Sequence, residues 1–432
     1  MKKLACILAA ALFLTACSSD RSQILKVYNW SAYIDEDLIE EFEQWYEEQT
    51  GEPVHVIYQT FDVNETMLAK IERGQEDYDV VCPSEYIIER MLMNDLLLPI
   101  DRDFGDTPDY ISNISPFIIE RFNQIEGFGK NANEYSVGYM WGTTGIIYNP
   151  KYVTAEDAKS WEILRDPKVQ GKILMKDAFR DVYTALLIAL NKDKIDSGEK
   201  QLETISFDSS DESIALVENY IESFHDGIAG WEADFGKEQM VKEQAWINLS
   251  WSGDAEWAIQ EALKSGVKLE YSVPETGSIV WFDGWVIPKY AQNVKAARYF
   301  INFLCMPENA IRNMDEIGYV SAIGGEEILK AKTDEKSFNP IDVSYFFGEQ
   351  ADSVCVNPVQ YPEKSIIDRC GVMHDSGDRT ENLLAMWSRV KGDGATNWTY
   401  IVLGITLVAV AVIIFLRKRQ KSSRSRSRKK VK

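Results

Sequence analysis

The stretch KVYNWSAYIDEDLIEEFEQWYEEQTGEPVHVIYQT, Lys26–Thr60, decides the architecture. KVYNW (Lys26–Trp30) is a short apolar run that reads as a strand. Asp35 can cap the helix that follows, where Leu38, Ile39, Phe42, Trp45 and Tyr46 fall on one face at helical spacing. Gly51 stops that helix, and PVHVIYQT (Pro53–Thr60) reads as the next strand. Continuing outward, Glu65–Arg73 is a helix with Met67, Leu68 and Ile71 inward, YDVVCP (Tyr78–Pro83) is a buried strand, and Ser84 opens another helix. This βαβαβα order predicts an open α/β sheet, in which ligands bind past the carboxyl ends of strands. Trp30–Tyr33 and Ser84–Tyr86 lie just past two such ends.

Farther along, YMWGTTGIIYNP (Tyr139–Pro150) and SIVWFDGWVIP (Ser278–Pro288) are long apolar stretches suited to crossing between two lobes. KILMKD (Lys172–Asp177) starts a strand, and helices fill much of Ala178–Ser265. Helix Val294–Cys305 buries Ala297, Phe300, Ile301 and Leu304. An amphipathic helix around Leu383–Val390 closes the body. There is no internal repeat.

Within this frame, WSGD (Trp251–Asp254) and WFD (Trp281–Asp283) each set an indole close to a carboxylate, and neither sits in a clear amphipathic helix. A carboxylate supplies a cation's charge partner, and an indole face adds ~0.5–2 kcal/mol of cation–π attraction when water is excluded. That chemistry suits an organic amine. For a single pair the plainer reading is a core Trp beside a turn Asp; the recurrence of such pairs argues otherwise.

The formal net charge is −22, from 46 basic and 68 acidic residues. Twelve basic residues lie outside Asp20–Asp393: Lys2, Lys3 and ten between Arg417 and Lys432. The middle therefore holds 34 basic against 68 acidic residues, a net −34. This argues against nucleic-acid binding by the body and favours cationic ligands by long-range steering. With 45% hydrophobic residues the chain can build a large core, and its length suggests two lobes.

Both ends read as membrane-directed. Residues 1–16 form a signal peptide, with Lys2 and Lys3 before LACILAAALFL. LTAC resembles the lipobox of bacterial lipoproteins, which makes Cys17 the expected lipidation site and 17–23 a lipidated linker. After a 392–398 linker, eighteen uncharged residues, Thr399–Leu416, are expected to span a membrane. The basic tail 417–432 then lies in the cytoplasm by the positive-inside rule. Cys82 and Cys305 sit among apolar residues and are expected to be buried thiols. Cys355 and Cys370 flank a loop-like stretch and form the candidate disulfide of an oxidising compartment.

Some chemistry is absent. His55, His225 and His374 are far apart and follow no zinc spacing; no phosphate-binding GxxxxGK[ST] loop and no GxSxG elbow occur. No metal, cofactor or catalytic residue is therefore assigned; acidic pairs abound, so counting leaves a glycosidase open, but nothing singles out an acid and a nucleophile, and the expectation is a protein that is not an enzyme.

Seven segments in order carry a family likeness: YNWSAYI (Tyr28–Ile34), NETMLAKI (Asn64–Ile71), DVVCPSEY (Asp79–Tyr86), YMWGTTGIIYN (Tyr139–Asn149), WSGD, WFDGWVIP (Trp281–Pro288) and EIGYVSA (Glu316–Ala322). Through them the chain resembles the spermidine/putrescine-binding proteins of bacterial ABC importers, from about Lys26 to Gly392. The resemblance implies a type II periplasmic-binding fold, two α/β lobes closing on a ligand. The expected division is 24–143 and 281–328 in lobe 1, with 144–280 and 329–391 in lobe 2. It implies that Trp30, Ser31 and Tyr33 line the cleft, followed by Ser84 and Tyr86. Asp181 falls where the family places an acid. Trp251 with Asp254, Trp281 with Asp283, and Tyr319 complete the set. Two positions depart from the pattern. Spermidine-type members carry an extra acid where this chain has Ala178, which tilts the expectation toward putrescine. Near the C-terminal end, Met373 or His374 stands where the family uses a Gln.

The expected function is capture of a polyamine on the extracytoplasmic face and delivery to an ABC permease, by a monomer. The physical logic is that each ammonium of a diamine needs its own carboxylate, because burying an unpaired charge costs several kcal/mol. Alternatives are a binding protein for another small solute, a membrane-anchored polyamine sensor, and an exported hydrolase. A ferric site would need clustered Tyr and carboxylates rather than Trp.

Overall fold

The computed structural model describes residues 21–392 apart from residue 75. Strand β1 (Ile24–Trp30) buries Leu25 and Val27 and runs parallel to β2 (His55–Phe61) in register from Ile24↔His55 to Trp30↔Phe61. Between them lies α1 (Asp37–Thr50), with Leu38, Phe42 and Tyr46 buried. Glu36, not the expected Asp35, holds the N-cap position and makes no side-chain capping bond; one residue earlier the Asp35 carboxylate accepts a hydrogen bond from the Asp37 N–H at 3.1 Å. Gly51 ends the helix at φ +72°, its N–H returning to the Glu47 carbonyl at 2.8 Å. Helix α2 (Asn64–Glu72), the short β3 (Val80–Val81) and α3 (Glu85–Met93) complete the run.

The two long apolar stretches become β4 (Ser136–Tyr148) and β8 (Ser278–Pro288), buried at every position. Burial on both faces explains why they read as continuous apolar runs. Between them come β5 (Ile173–Lys176), α4 (Phe179–Leu190), β6 (Ile228–Glu232), β7 (Ile247–Trp251) and α5 (Ser252–Lys264). The sheet order is β2-β1-β3-β8-β4-β7-β5-β6. The first three strands are mutually parallel, as are the last three, and β8 and β4 join the two sets through antiparallel pairing. β8 and β4 are therefore the expected crossing strands. Helix α6 (Val294–Leu304) packs Phe300 on Trp285 and Phe42.

The C-terminal part divides more finely than expected. Phe346 stacks on Trp141 at 5.4 Å and contacts Phe117, so its segment lies with the N-terminal half of β4. Only beyond it does the chain reach the other side, where β9 (Cys370–Gly371) pairs with Ser278–Ile279 and α7 (Thr380–Lys391) packs on α4. We therefore propose the same two lobes with the second-lobe return beginning near residue 364 rather than 329.

The Cys355–Cys370 disulfide is not formed: both are free thiols, and Cys370 donates to the Ile366 carbonyl at 3.2 Å. Cys370 is fixed in a strand against β8, whereas the Cys355 carbonyl is bonded to the Asp334 N–H. Cys82 and Cys305 are buried. Residues 1–16, Cys17, 399–416 and 417–432 lie outside the described residues. Among the described residues no helix is long and apolar enough to cross a membrane.

Candidate functional site

A cleft of about 1030 Å³, its open mouth included, is lined by residues that follow strands of both parallel sets and by Trp281 and Asp283 of β8. β1 delivers the first wall. The turn after it holds Ala32 at φ +50° and places Trp30, Ser31 and Tyr33 on the cleft. Trp30 leans on Phe61 with ring centroids 4.6 Å apart. The start of α3 adds Ser84 and Tyr86, both of which Asn64 holds through its side-chain amide, at 3.0 and 2.9 Å. Ser84 occupies the N-cap position, but its hydroxyl makes no capping bond and instead donates to Asp283 Oδ1 at 2.7 Å.

Asp283 lies two residues from Trp281 on β8, so strand alternation sets both on the cleft, and just beyond Asp283 the pairing slips by one residue because Tyr139 bulges from β4. Its Oδ2 accepts from the Tyr33 hydroxyl at 2.7 Å. Burial pushes this carboxyl up to about 7; the Ser84 and Tyr33 hydrogen bonds pull it down, and nearby Asp181 adds to the rise. Glu85, behind it, is raised well above the carboxylate range, chiefly by burial.

The opposite wall comes from α4 and the β7–α5 junction. Asp181, in the first turn of α4, accepts from Trp251 Nε1 at 2.8 Å. Burial pushes it up to about 6, against the Trp251 hydrogen bond. WSGD opens a helix: Trp251 is its N-cap, and Ser252, Gly253 and Asp254 form the first turn. A Cβ on Gly253 would lie 2.2 Å from the Tyr319 ring, so glycine here seats that ring against the helix. Tyr319 meets Tyr33 and Trp281 edge-on, at 5.0 and 5.6 Å. The indoles of Trp30 and Trp281 carry Nε1 atoms with no hydrogen-bond partner among the described residues.

All the residues expected from the sequence line this one cleft. Of the two candidates at the departing C-terminal position, Met373 lines it; His374 is stacked on Phe207 instead. Sequence reasoning missed the basic residues. Buried Arg180 reaches Glu65 at 3.3 Å, Ser376 Oγ and Thr380 Oγ1 at 2.9 Å each, and lies over the Tyr86 ring. Lys237 lines the cleft 3.6 Å from Asp254, and Lys176 donates to the same carboxylate at 2.6 Å. Burial works to raise Asp254, but Lys176 and Lys237 outweigh it and hold it ionised. The available signal was a lysine ending an otherwise apolar strand in KILMKD.

The cleft thus contains aromatic walls and two buried carboxylates, Asp181 and Asp283, that make no ion pair among the described residues. Its chemistry is that of a receptor for an organic cation.

Comparison with known proteins agrees. The family described as bacterial extracellular solute-binding protein matches residues 37–327. The spermidine/putrescine-binding periplasmic protein of Escherichia coli K12 is 29% identical over 72% of this chain and 81% of its own length. The putrescine-binding periplasmic protein of the same organism is 28% identical over 69% and 77%. A solved structure of a spermidine/putrescine ABC transporter substrate-binding protein from Streptococcus pneumoniae is 27% identical, with a TM-score of 0.61 over 85% of this chain and 98% of that one.

Proposed function

The chain belongs to the bacterial extracellular solute-binding proteins, and on that premise we propose that it captures a polyamine outside the cytoplasmic membrane and hands it to an ABC permease. The relatives named for polyamine binding support the solute, and the cleft supports the chemistry. The observation that carries the reading is the pair Asp181 and Asp283, buried without a cation between indole and phenol rings. A bound ammonium at each relieves the burial cost of the carboxylate it meets. The methylene chain lies on Trp30, Trp251 and Trp281, and Tyr33, Tyr86 and Tyr319 frame it. Ser31 and Ser84 supply hydroxyls, and Asp254 completes the acidic wall. The reading involves binding and release, with no bond made or broken. Anchoring by lipid at Cys17 and by a helix over 399–416 belongs to the same proposal, as does action as a monomer.

Calorimetric titration of the ligand-stripped protein with putrescine and spermidine tests it. Saturable binding of either is expected; folded protein that takes up neither would move the function to another solute.

A further inference from the structure

Lys176 ends β5 and is fully buried. Its ammonium donates to Asp254 Oδ2 at 2.6 Å and to the Ala233 carbonyl at 3.0 Å, and lies 3.1 Å from Glu232 Oε1. It also stands 4.2 Å from the centroid of the Trp251 ring. Two carboxylates, a carbonyl and an indole face are what a bound ligand ammonium would require. Here the chain supplies the ammonium itself. Asp254 is thereby occupied: its other oxygen accepts from the Tyr319 hydroxyl at 3.0 Å and lies near Lys237.

The remaining acids of the cleft sort cleanly. Glu65 is paired with Arg180, Asp177 with Lys391 and Asp234 with Lys237. Asp62 is exposed at the mouth. Asp181 and Asp283 alone are buried with only neutral donors. Trp251 separates the two kinds of carboxylate, its Nε1 on Asp181 and its ring face on Lys176. Ala178 and Met373 line the cleft and add no charge.

Resting on the amine-binding reading, we propose that Lys176 is a specificity-determining residue. Its ammonium permanently fills a third amine place beside Trp251, so the cleft takes a ligand with two ammonium groups and disfavours a triamine. A third ligand ammonium would meet Lys176 and Lys237 instead of a free carboxylate and would be buried unpaired.

The experiment is calorimetric titration of the full-length protein, purified in detergent and stripped of ligand, with putrescine and spermidine. The wild type is expected to bind putrescine at least tenfold more tightly. Lys176→Met with Glu232→Gln removes one cation and one acid together, which keeps the buried charge balanced and takes from Asp254 the nearer of its two cations. In that variant spermidine is expected to gain at least tenfold relative to putrescine. An unchanged ratio in the folded variant overturns the proposal. Should it not fold, Lys176→Gln with Glu232→Gln keeps the polar shapes and carries the same comparison. Wild type that binds spermidine as tightly as putrescine overturns the proposal with no variant at all. Wild type that binds neither overturns the amine-binding reading itself, a result distinct from binding with the wrong ratio.

Discussion

Asp283 is the residue on which the site turns. Two hydroxyls, Tyr33 and Ser84, fix both its oxygens, yet neither neutralises it. Asp283→Asn keeps the shape and removes the charge, so putrescine affinity is expected to fall at least tenfold, or about 1.4 kcal/mol. Unchanged affinity by calorimetry would sink the assignment. The raised values of about 7 for Asp283 and about 6 for Asp181 give a sign for pH. A dication binds the ionised carboxylates, so affinity is expected to weaken as pH falls through 7 and then 6, with protons released on binding. For the free protein the sign is opposite. Carboxyls raised above the unfolded value of ~4 favour the folded state below that value, and this contribution is lost as pH rises through 6 and 7. Thermal melts at pH 5 and pH 8 are expected to show the loss, and an Asp181→Asn, Asp283→Asn double variant to lack it. At this scale the identities of the site residues were legible through the family resemblance, since all but Asp181 stand within the segments that carry it. Their partners were not: Ser84 reads locally as a helix cap, and only a residue 199 positions away claims its hydroxyl.

At the scale of elements, two devices build the cleft. Strand alternation on β8 sets Trp281 and Asp283 side by side on the cleft, next to the point where Tyr139 bulges from β4. The β7–α5 junction brings Trp251 and Asp254 onto one wall, with Gly253 leaving room for Tyr319. Gly253→Ala forces a Cβ into the Tyr319 ring, and overpacking of this kind costs about 1–3 kcal/mol. Urea unfolding is expected to report that loss, with weakened putrescine binding as Tyr319 leaves Asp254; a variant with wild-type stability would show the seat to be dispensable. The elements themselves were legible from periodicity. Where the reading fell short, as with β3, which shrinks to Val80–Val81, the strand is defined by pairing and not by its apolar run.

On the scale of the whole molecule, the acidic body draws cations toward the cleft at long range. Arg180 then ties its two sides: from α4 it reaches Glu65 on α2 and lies over Tyr86 on α3, while also holding Ser376 and Thr380. Arg180→Ala removes that tie. It is expected to raise the radius of gyration of the free protein in small-angle scattering and to speed putrescine release about tenfold. Scattering and release rates matching the wild type would mean that the crossing strands alone set the closure.

The amino-acid sequence was enough for the alternation of strands and helices and for the two long apolar strands, because local periodicity survives without knowledge of what lies opposite. The set of residues facing the cleft came from the family resemblance that short segments of the sequence carry. Tertiary structure alone decided which carboxylates are free. Lys176 and Asp254 are 78 residues apart, and Arg180 and Glu65 are 115. No spacing along the chain encodes such pairings, because an ion pair in a protein interior is set by the packing of distant elements, and that packing leaves two acids of the cleft for the ligand.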